Sequence, residues 1–371
     1  MIAKEEKGKG KKVLWLVIMI IIIGFMFFNK SLNVKVENLF KQTEKSLELV
    51  RTINIPHTED NKTKSYGDSI INYDNETITA YNLTGDKLWS KSVEFEAPII
   101  HLGENRIYTG DKNTGDIIAY DSDGGKQWTY GVRQSIDKFV EKSGLLIVYT
   151  KAGEKIDQIN ILDENGKLLA NTVVDKGRLL SSSVSSDKKM FTLVSIDYSD
   201  INLQSSILLY TIEGRLLWKK DFNDFVILSG EFLDNGDILV ISDNKLISLN
   251  IDGELLWRKD IKGRLKDITL DNKHKEVCIL YGEDKDYIEV LELDGKTKNK
   301  LELDNYYESI YKNNRYIFLT GEQRLVGING DNIFLKYTGK DKIEDLMFGE
   351  GNIFLLTKEG LAVGKLTSQK D

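Results

Sequence analysis

The chain has 371 residues, a formal net charge of −7 and a hydrophobic fraction of 41%. This length fits one large all-β domain or two smaller ones, and only 2 prolines argue against long disordered linkers. The single cysteine excludes an intrachain disulfide, and an acidic body without a clustered basic stripe argues against nucleic acid as a partner.

The amino terminus has the features of a membrane anchor. Residues 1–12 form a basic tail, and the apolar run Val13–Phe28 that follows contains no charge. Residues 13–30 are therefore predicted to be an uncleaved transmembrane signal anchor. The alternative is a cleaved secretory signal, but the run lacks the small-x-small pattern of a cleavage site. The lysines of the tail predict a cytoplasmic amino terminus, with the body outside the cytoplasmic membrane.

Two elements are predicted between the anchor and the body. Apolar residues from Val36 to Val50 recur mostly at helical spacing, which predicts a juxtamembrane helix over Val34–Leu49 within a stalk of residues 31–50. Arg51–Ile55 then alternates as a strand, and a proline ends it.

One hairpin unit recurs along the rest of the chain. Two alternating runs joined by Asp-Gly are a strong turn signal, because glycine reaches the positive φ that such turns need. In four copies the turn glycine precedes a tryptophan by four residues: Gly85 and Trp89, Gly124 and Trp128, Gly214 and Trp218, and Gly253 and Trp257. With weaker copies at Gly166 and Gly295, successive turn glycines lie 39, 42, 48, 39 and 42 residues apart. A period of about 40 residues of strand pattern predicts propeller blades of four strands each.

The fold predicted from these repeats is all-β. It is an eight-bladed β-propeller of four-stranded antiparallel blades over residues 51–367, with a polar tail at residues 368–371. Eight pairs of central strands are recognisable: Ser69–Asn82, Arg106–Tyr120, Leu145–Leu162, Met190–Tyr210, Ile238–Asn250, Val277–Leu293, Tyr316–Ile328 and Ile353–Leu366. Arg51–Ile55 is predicted to close the ring beside Gly360–Leu366, because an open ring would leave two unpaired edges. Seven blades is the alternative, if one weak pair is an insertion.

The repeated tryptophans are interpreted as packing between adjacent blades. A row of stacked aromatic ligands is the alternative, but equivalent positions in different blades are spread around the ring. The units Tyr120–Trp128 (YDSDGGKQW) and Leu249–Trp257 (LNIDGELLW) resemble the repeats of the pyrroloquinoline-quinone-type propellers. Ala80 and Ala119 depart from that pattern, because they lie nine residues before the tryptophan where the family tends to place a small residue ten before.

The resemblance implies a propeller fold and leaves the activity open. That superfamily includes quinoprotein dehydrogenases and the non-enzymatic propeller subunit of the bacterial outer-membrane assembly machine. An anchor followed by a lone propeller also resembles uncharacterised membrane-anchored propeller proteins of Gram-positive bacteria.

No recognisable set of catalytic, cofactor-binding or metal-ligating residues appears in the sequence. Quinoprotein dehydrogenases are known for a disulfide of adjacent cysteines and for bound calcium, but Cys278 is the only cysteine and is interpreted as a buried core residue. His57, His101 and His274 are scattered singly, and Asp121–Gly125 lacks the later ligands of a calcium loop. We therefore expect no cofactor and no enzymatic activity; a quinone-dependent dehydrogenase is the alternative.

The remaining feature is a set of long loops on one face of the predicted ring. In a propeller the loops between second and third strands share a face, here called the rim, with the links between blades. The long charged loops are Asp111–Gly115, Lys151–Lys155, Asp197–Ser205 and Gly282–Asp286. The longest supplies the candidate partner-binding residues Asp197, Tyr198, Asp200 and Asn202. We predict a non-catalytic scaffold for a protein partner in the cell envelope; the alternative is a small-ligand-binding protein or enzyme that uses the central channel.

Overall fold

The computed structural model describes residues 45–55, 61–151, 153, 156–174, 177–198, 203–349 and 351–368. Regular structure in these ranges consists of β-strands. Within them there is no helix with the length and apolarity that crossing a bilayer requires. The predicted tail of residues 1–12, the predicted anchor of residues 13–30 and the first part of the predicted stalk, residues 31–44, lie outside the described residues.

After the first strand, β1 (Lys45–Ile53), the chain forms six four-stranded antiparallel sheets of consecutive strands, here called blades 1 to 6. Blade 1 consists of β2 (Lys62–Tyr66), β3 (Ser69–Asp74), β4 (Thr77–Asn82) and β5 (Lys87–Ser92), and blade 2 of β6 (Pro98–Leu102), β7 (Ile107–Asp111), β8 (Asp116–Tyr120) and β9 (Lys126–Gly131). Blade 3 consists of β10 (Ser135–Lys142), β11 (Leu145–Lys151), β12 (Asp157–Leu162) and β13 (Leu168–Val174), and blade 4 of β14 (Arg178–Val184), β15 (Met190–Asp197), β16 (Gln204–Thr211) and β17 (Leu216–Phe222). Blade 5 consists of β18 (Ile227–Phe232), β19 (Ile238–Ser242), β20 (Lys245–Leu249) and β21 (Leu255–Asp260), and blade 6 of β22 (Arg264–Asp271), β23 (Glu276–Gly282), β24 (Asp286–Glu292) and β25 (Thr297–Glu302).

The remaining strands form one eight-stranded sheet, here called the closing sheet. Its strands are β26 (Ser309–Asn313), β27 (Tyr316–Gly321), β28 (Arg324–Asn329), β29 (Asn332–Thr338), β30 (Asp345–Gly349), β31 (Asn352–Thr357) and β32 (Gly360–Ser368), together with β1. Strand β1 lies between β29 and β32, so the amino-terminal strand completes the sheet that contains the carboxyl-terminal one. This is the closure that the sequence predicts.

Each blade has its first strand innermost and its fourth strand outermost. First strands of several neighbouring sheets contact one another, as β6 does with β10, β14 with β18 and β22 with β26. Strand β2 contacts both β6 and β30, so the ring is closed. At that junction the Ser65 hydroxyl donates to the Phe348 carbonyl at 3.2 Å. Second and third strands such as β7, β11 and β12 are buried almost throughout, because their two faces pack on the blades on either side. The result is a β-propeller whose core is divided among the spaces between blades.

The repeated tryptophans join each blade to the next. The indole Nε1–H of Trp89, Trp128, Trp218 and Trp257 donates to the carbonyl oxygen of Ser122, Glu164, Ile251 and Leu293, at 3.2, 2.9, 2.8 and 2.8 Å respectively. Each ring covers the turn glycine of the following blade. A Cβ added at the glycine would lie within 3.2 Å of the indole that covers it. The distances are 3.2 Å for Gly124 under Trp89, 2.6 Å for Gly166 under Trp128, 3.2 Å for Gly253 under Trp218 and 2.6 Å for Gly295 under Trp257. In one repeat the glycine therefore contacts the tryptophan of the preceding blade, and the tryptophan four residues later contacts the glycine of the following blade.

Other side chains take the tryptophan position where none is present. Gly85 packs on Ile53 of β1, and Gly214 packs on Thr172 of β13. Between blade 6 and the closing sheet, the Asn299 amide donates to Asp331 at 2.6 Å. Since Ile53 belongs to the strand that completes the last sheet, the contact between Ile53 and Gly85 places the same kind of packing at the closure of the ring.

The predicted juxtamembrane helix over Val34–Leu49 is wrong where the structure describes it. From Lys45 onward the chain is strand β1, so the propeller begins six residues before the predicted boundary at residue 51. Antiparallel pairing with β32 holds it: the Ser46 and Thr367 hydroxyls lie 2.9 Å apart, and the Ile53 carbonyl lies against Gly360 at the other end. Pairing with a partner strand prevails over a loose helical periodicity, because it satisfies the backbone hydrogen bonds of both strands. Strand β32 likewise extends to Ser368, one residue into the predicted tail.

Closure by β1 can be tested with two leucines of the same strand. Leu47 is 8% exposed, and its side chain fills the space left by Gly364, whereas Leu49 is 44% exposed. We expect Leu47→Ala to lower the free energy of unfolding of the full chain by about 2–4 kcal/mol through lost burial and a cavity. Leu49→Ala should change it by less than about 0.5 kcal/mol. Equal effects in chemical denaturation would contradict the assignment of β1 to the core.

The packing of tryptophan on glycine can be tested with two glycines that share a backbone conformation. Gly295 has φ +81° and lies under Trp257, whereas Gly236 has φ +87° and open space around it. Alanine at either position costs about 1–2 kcal/mol for the left-handed backbone. Gly295→Ala should lose a further amount of about 1–3 kcal/mol, because a methyl group would displace the indole. If the two alanine variants lose equal unfolding free energy, the indole of Trp257 accommodates the added methyl group without cost, which would contradict this prediction.

Candidate functional site

The predicted partner-binding loop extends the hairpin of β15 and β16 at the rim of blade 4. Asp197 pairs with Gln204 in the last described register of this hairpin. Beyond them Tyr198 is 61% exposed and Leu203 is 42% exposed. Asp200 and Asn202 lie outside the described residues. The structure therefore brings two large, exposed, partly apolar side chains to the base of this loop.

A third exposed apolar side chain, Ile156, directly precedes β12 of blade 3 and is 41% exposed. Its neighbour Asp157 accepts the Leu179 backbone N–H at 2.8 Å and pairs with the Arg178 guanidinium at 3.1 Å. Arg178 in turn pairs with Ile196 in the register of β14 and β15, two residues before Tyr198. Ile156, Tyr198 and Leu203, here called the rim patch, are thus connected through a short set of fixed contacts.

Several carboxylates of the predicted charged loops hold the rim itself together. Asp111 accepts backbone N–H groups of Glu96 and Ala97 from the preceding link, at 3.0 and 3.2 Å. Hydrogen bonds from the backbone, that of Thr114 foremost, lower the pKa of Asp111. These contacts fix the link between blades 1 and 2 to the hairpin beside it.

The same arrangement recurs at blade 6 with a lysine added. Buried Asp286 accepts the Tyr307 backbone N–H at 2.7 Å and pairs with the Lys266 ammonium at 2.7 Å. Asp157 has this role in blade 3. Asp111 and Asp286, two charges of the predicted loops, are therefore structural, as is Asp157, which follows the predicted loop Lys151–Lys155. The exposed apolar groups of the rim are the ones available to a partner.

A second surface lies at the mouth of the central channel, where β2, β6 and β30 meet. A cavity of about 960 Å³ opens there. Four lysines, at positions 62, 64, 342 and 358, and the imidazole of His101 line it, together with the carboxylates of Glu344 and Asp345. Burial, and after it the positive charges of Lys64 and Lys62, lower the pKa of His101 to about 4. Sequence reasoning missed this cluster, although the alternation of Lys62 and Lys64 puts both on one face of β2.

The other residues singled out for chemistry are separated from these surfaces. His274 contacts Asp271 at 2.7 Å, on the turn that joins β22 and β23, and His57 lies outside the described residues. Cys278 is buried in β23, and burial raises the pKa of its thiol to about 12. Among the described residues no group of three or more histidine, cysteine, aspartate or glutamate side chains could hold a metal ion.

Comparison with solved structures identifies the same fold in proteins of low sequence identity. Sqt1 of Saccharomyces cerevisiae matches with a TM-score of 0.58 and 12% identity, over 87% of this chain and 98% of its own. The computationally designed Ika8 protein matches with a TM-score of 0.56 and 14% identity, over 88% and 100%. BamB from Moraxella catarrhalis matches with a TM-score of 0.54 and 15% identity, over 86% and 99%. Sqt1 is a WD40 propeller and BamB a PQQ-like propeller, which supports a β-propeller here.

Sequence comparison gives a family for the chain. Among curated proteins none matches it. The model of a family of unknown function, DUF5711, matches residues 40–366. Because that match spans most of the chain, the protein belongs to this family.

Proposed function

We propose that this protein is a non-catalytic scaffold of the cell envelope that binds a protein partner through the rim of its propeller. The exposed rim patch carries the proposal. Tyrosine and aliphatic side chains that are exposed on a fixed framework are typical of protein-binding surfaces, because they lose little conformational entropy when a partner covers them. The propellers Sqt1 and BamB suggest a protein-interaction scaffold as well.

The framework beneath the patch suits this role. The Asp157 carboxylate receives both the Leu179 backbone N–H and the Arg178 guanidinium, so blades 3 and 4 are joined directly under the exposed groups. A partner would then meet a surface whose backbone is already ordered, and binding to an ordered surface costs less entropy.

The partner that fits is a protein with an apolar patch flanked by lysine or arginine. Asp197 and Asp200 flank Tyr198 in the sequence, and the chain as a whole carries a net charge of −7. Acidic flanks favour basic neighbours on the partner, which speeds association and aligns the two surfaces.

The proposal places the propeller outside the cytoplasmic membrane, held by the anchor of residues 13–30. The basic tail before this apolar segment motivates the orientation. An anchored domain meets membrane-associated partners at raised effective concentration, so a modest affinity suffices for binding.

We also propose that the closing sheet is two blades, which gives the eight blades predicted from the repeats. Strands β26 to β29 would be the seventh, and β30 to β32 completed by β1 would be the eighth. Their outer strands β29 and β1 are neighbours in the sheet order, which is why the two blades are continuous. The units Tyr120–Trp128 and Leu249–Trp257, in blades 2 and 5, favour a pyrroloquinoline-quinone-type propeller.

Cross-linking in cells tests the scaffold proposal. A photoreactive amino acid at Tyr198 should capture one reproducible envelope protein, and the same group at Leu256, exposed on the outer strand of blade 5, serves as the matched control. Purified with the full chain, the captured protein should bind at least about tenfold more weakly after Tyr198→Ser with Leu203→Ser, because large interface side chains carry most of the binding energy.

Two results would contradict the scaffold proposal. One is capture of the same proteins from both positions, which would indicate collision rather than binding. The other is an unchanged affinity of the double serine variant while its thermal stability matches that of the unmodified chain.

Protease accessibility tests the proposed orientation separately. Protease added to intact cells should digest the propeller and leave residues 1–12 protected, since the tail is proposed to be cytoplasmic. An epitope tag at each end of the chain identifies the fragments. Recovery of an undigested body from the cytosol, or of a secreted body that lacks its first thirty residues, would contradict the proposed anchor.

A further inference from the structure

The cavity at the mouth of the central channel has more positive than negative charge. Four lysines face two carboxylates there. The Lys342 ammonium is paired with Glu344 at 3.0 Å. The Asp345 carboxylate is already occupied by the Tyr311 hydroxyl at 2.9 Å and the Leu346 backbone N–H at 2.8 Å. The remaining lysines are therefore not neutralised by the acids of the same cavity.

Two of these lysines have ammonium groups available to a ligand. Lys62, from the innermost strand of blade 1, and Lys358, from the turn between β31 and β32, form no ion pair with any residue that the structure describes. Lys64 donates a long hydrogen bond to the Leu102 carbonyl at 3.3 Å and lies 5.9 Å from the centre of the Tyr66 ring. The cavity thus gathers three ammonium groups from two neighbouring sheets, in a protein whose net charge is −7.

A concentration of one charge in a concave site attracts ions of opposite charge. Low-dielectric walls focus the field of the lysines, so an anion experiences them more strongly there than on an open surface. The volume of about 960 Å³ lies within the range of small-molecule sites. The His101 imidazole lies in the wall, where Lys62 and Lys64 face it from β2 and Tyr108 stacks on it from β7.

We infer that this cavity is a binding site for a small multivalent anion that carries phosphate or carboxylate groups. Lys62 and Lys64 line it from β2, and Lys358 lines it from the turn between β31 and β32. Both ligand groups accept charge-assisted hydrogen bonds from ammonium donors, so they share one recognition chemistry. Lys62 is the first residue of β2 and Lys358 lies in the turn between β31 and β32, so both lysines lie toward the face of the ring that carries the rim patch.

Titration calorimetry on the full chain, purified in detergent, tests this inference. Inorganic tripolyphosphate and citrate are the two probes, and the tighter of them identifies the preferred group. Saturable binding of at least one is expected, weakened at least tenfold by Lys62→Gln with Lys358→Gln. The matched control is Lys126→Gln with Lys167→Gln, which removes the same charge from exposed outer positions.

Proton NMR of the imidazoles gives a second readout. Bound anion should raise the pKa of His101 from its value of about 4, because added negative charge favours the imidazolium, and should leave His274 unchanged. Glu344 and Asp345 line the same cavity as His101, so the comparison is made between bound and free protein at each pH.

Three outcomes would overturn the inference: no binding of either probe, equal weakening by the control pair, or an unchanged His101 resonance at saturation. Loss of the anion site would leave the scaffold proposal intact, since that proposal depends on the rim patch of blades 3 and 4. Retention of the fold by both glutamine variants is checked by their thermal midpoints.

Discussion

The contact on which the rest of this structure depends is an indole ring laid over the turn glycine of the next blade. The Trp257 ring covers Gly295, and its Nε1–H donates to the Leu293 carbonyl at 2.8 Å. The glycine is needed twice, for a positive φ and for lack of a Cβ. Repeated along the chain, this contact sets the spacing of the blades, and the spacing in turn sets the width of the channel and the positions of the rim loops.

Closure follows from the same geometry, but with other residues. At the junction of the last sheet with blade 1 the indole is replaced by Ile53, which packs on Gly85. That strand closes the ring, and in the sequence residues 31–44 separate it from the predicted anchor of residues 13–30. The rim hairpins and the channel mouth are thereby fixed on one framework, which is what a binding surface on loops requires.

The repeat made the fold predictable, whereas the binding surfaces depend on contacts between distant residues. Asp-Gly turns and tryptophans such as Trp218 have local signatures, so the paired strands are placed within a few residues. The first part of strand β1 was predicted as helix. Its partner, β32, lies more than 300 residues away in sequence, so no local signal reveals the pairing. The roles of Asp157 and Asp286 in joining blades, and the meeting of Lys62 with Lys358, likewise arise only when the ring closes.

Hydrogen–deuterium exchange of the full chain, with and without the protein captured at Tyr198, tests the central claim most directly. The account predicts slower exchange on binding at the ends of β15 and β16 and around Ile156, with no change in outer strands such as β21. Protection confined to the outer strands, or spread evenly over all blades, would contradict binding at the rim.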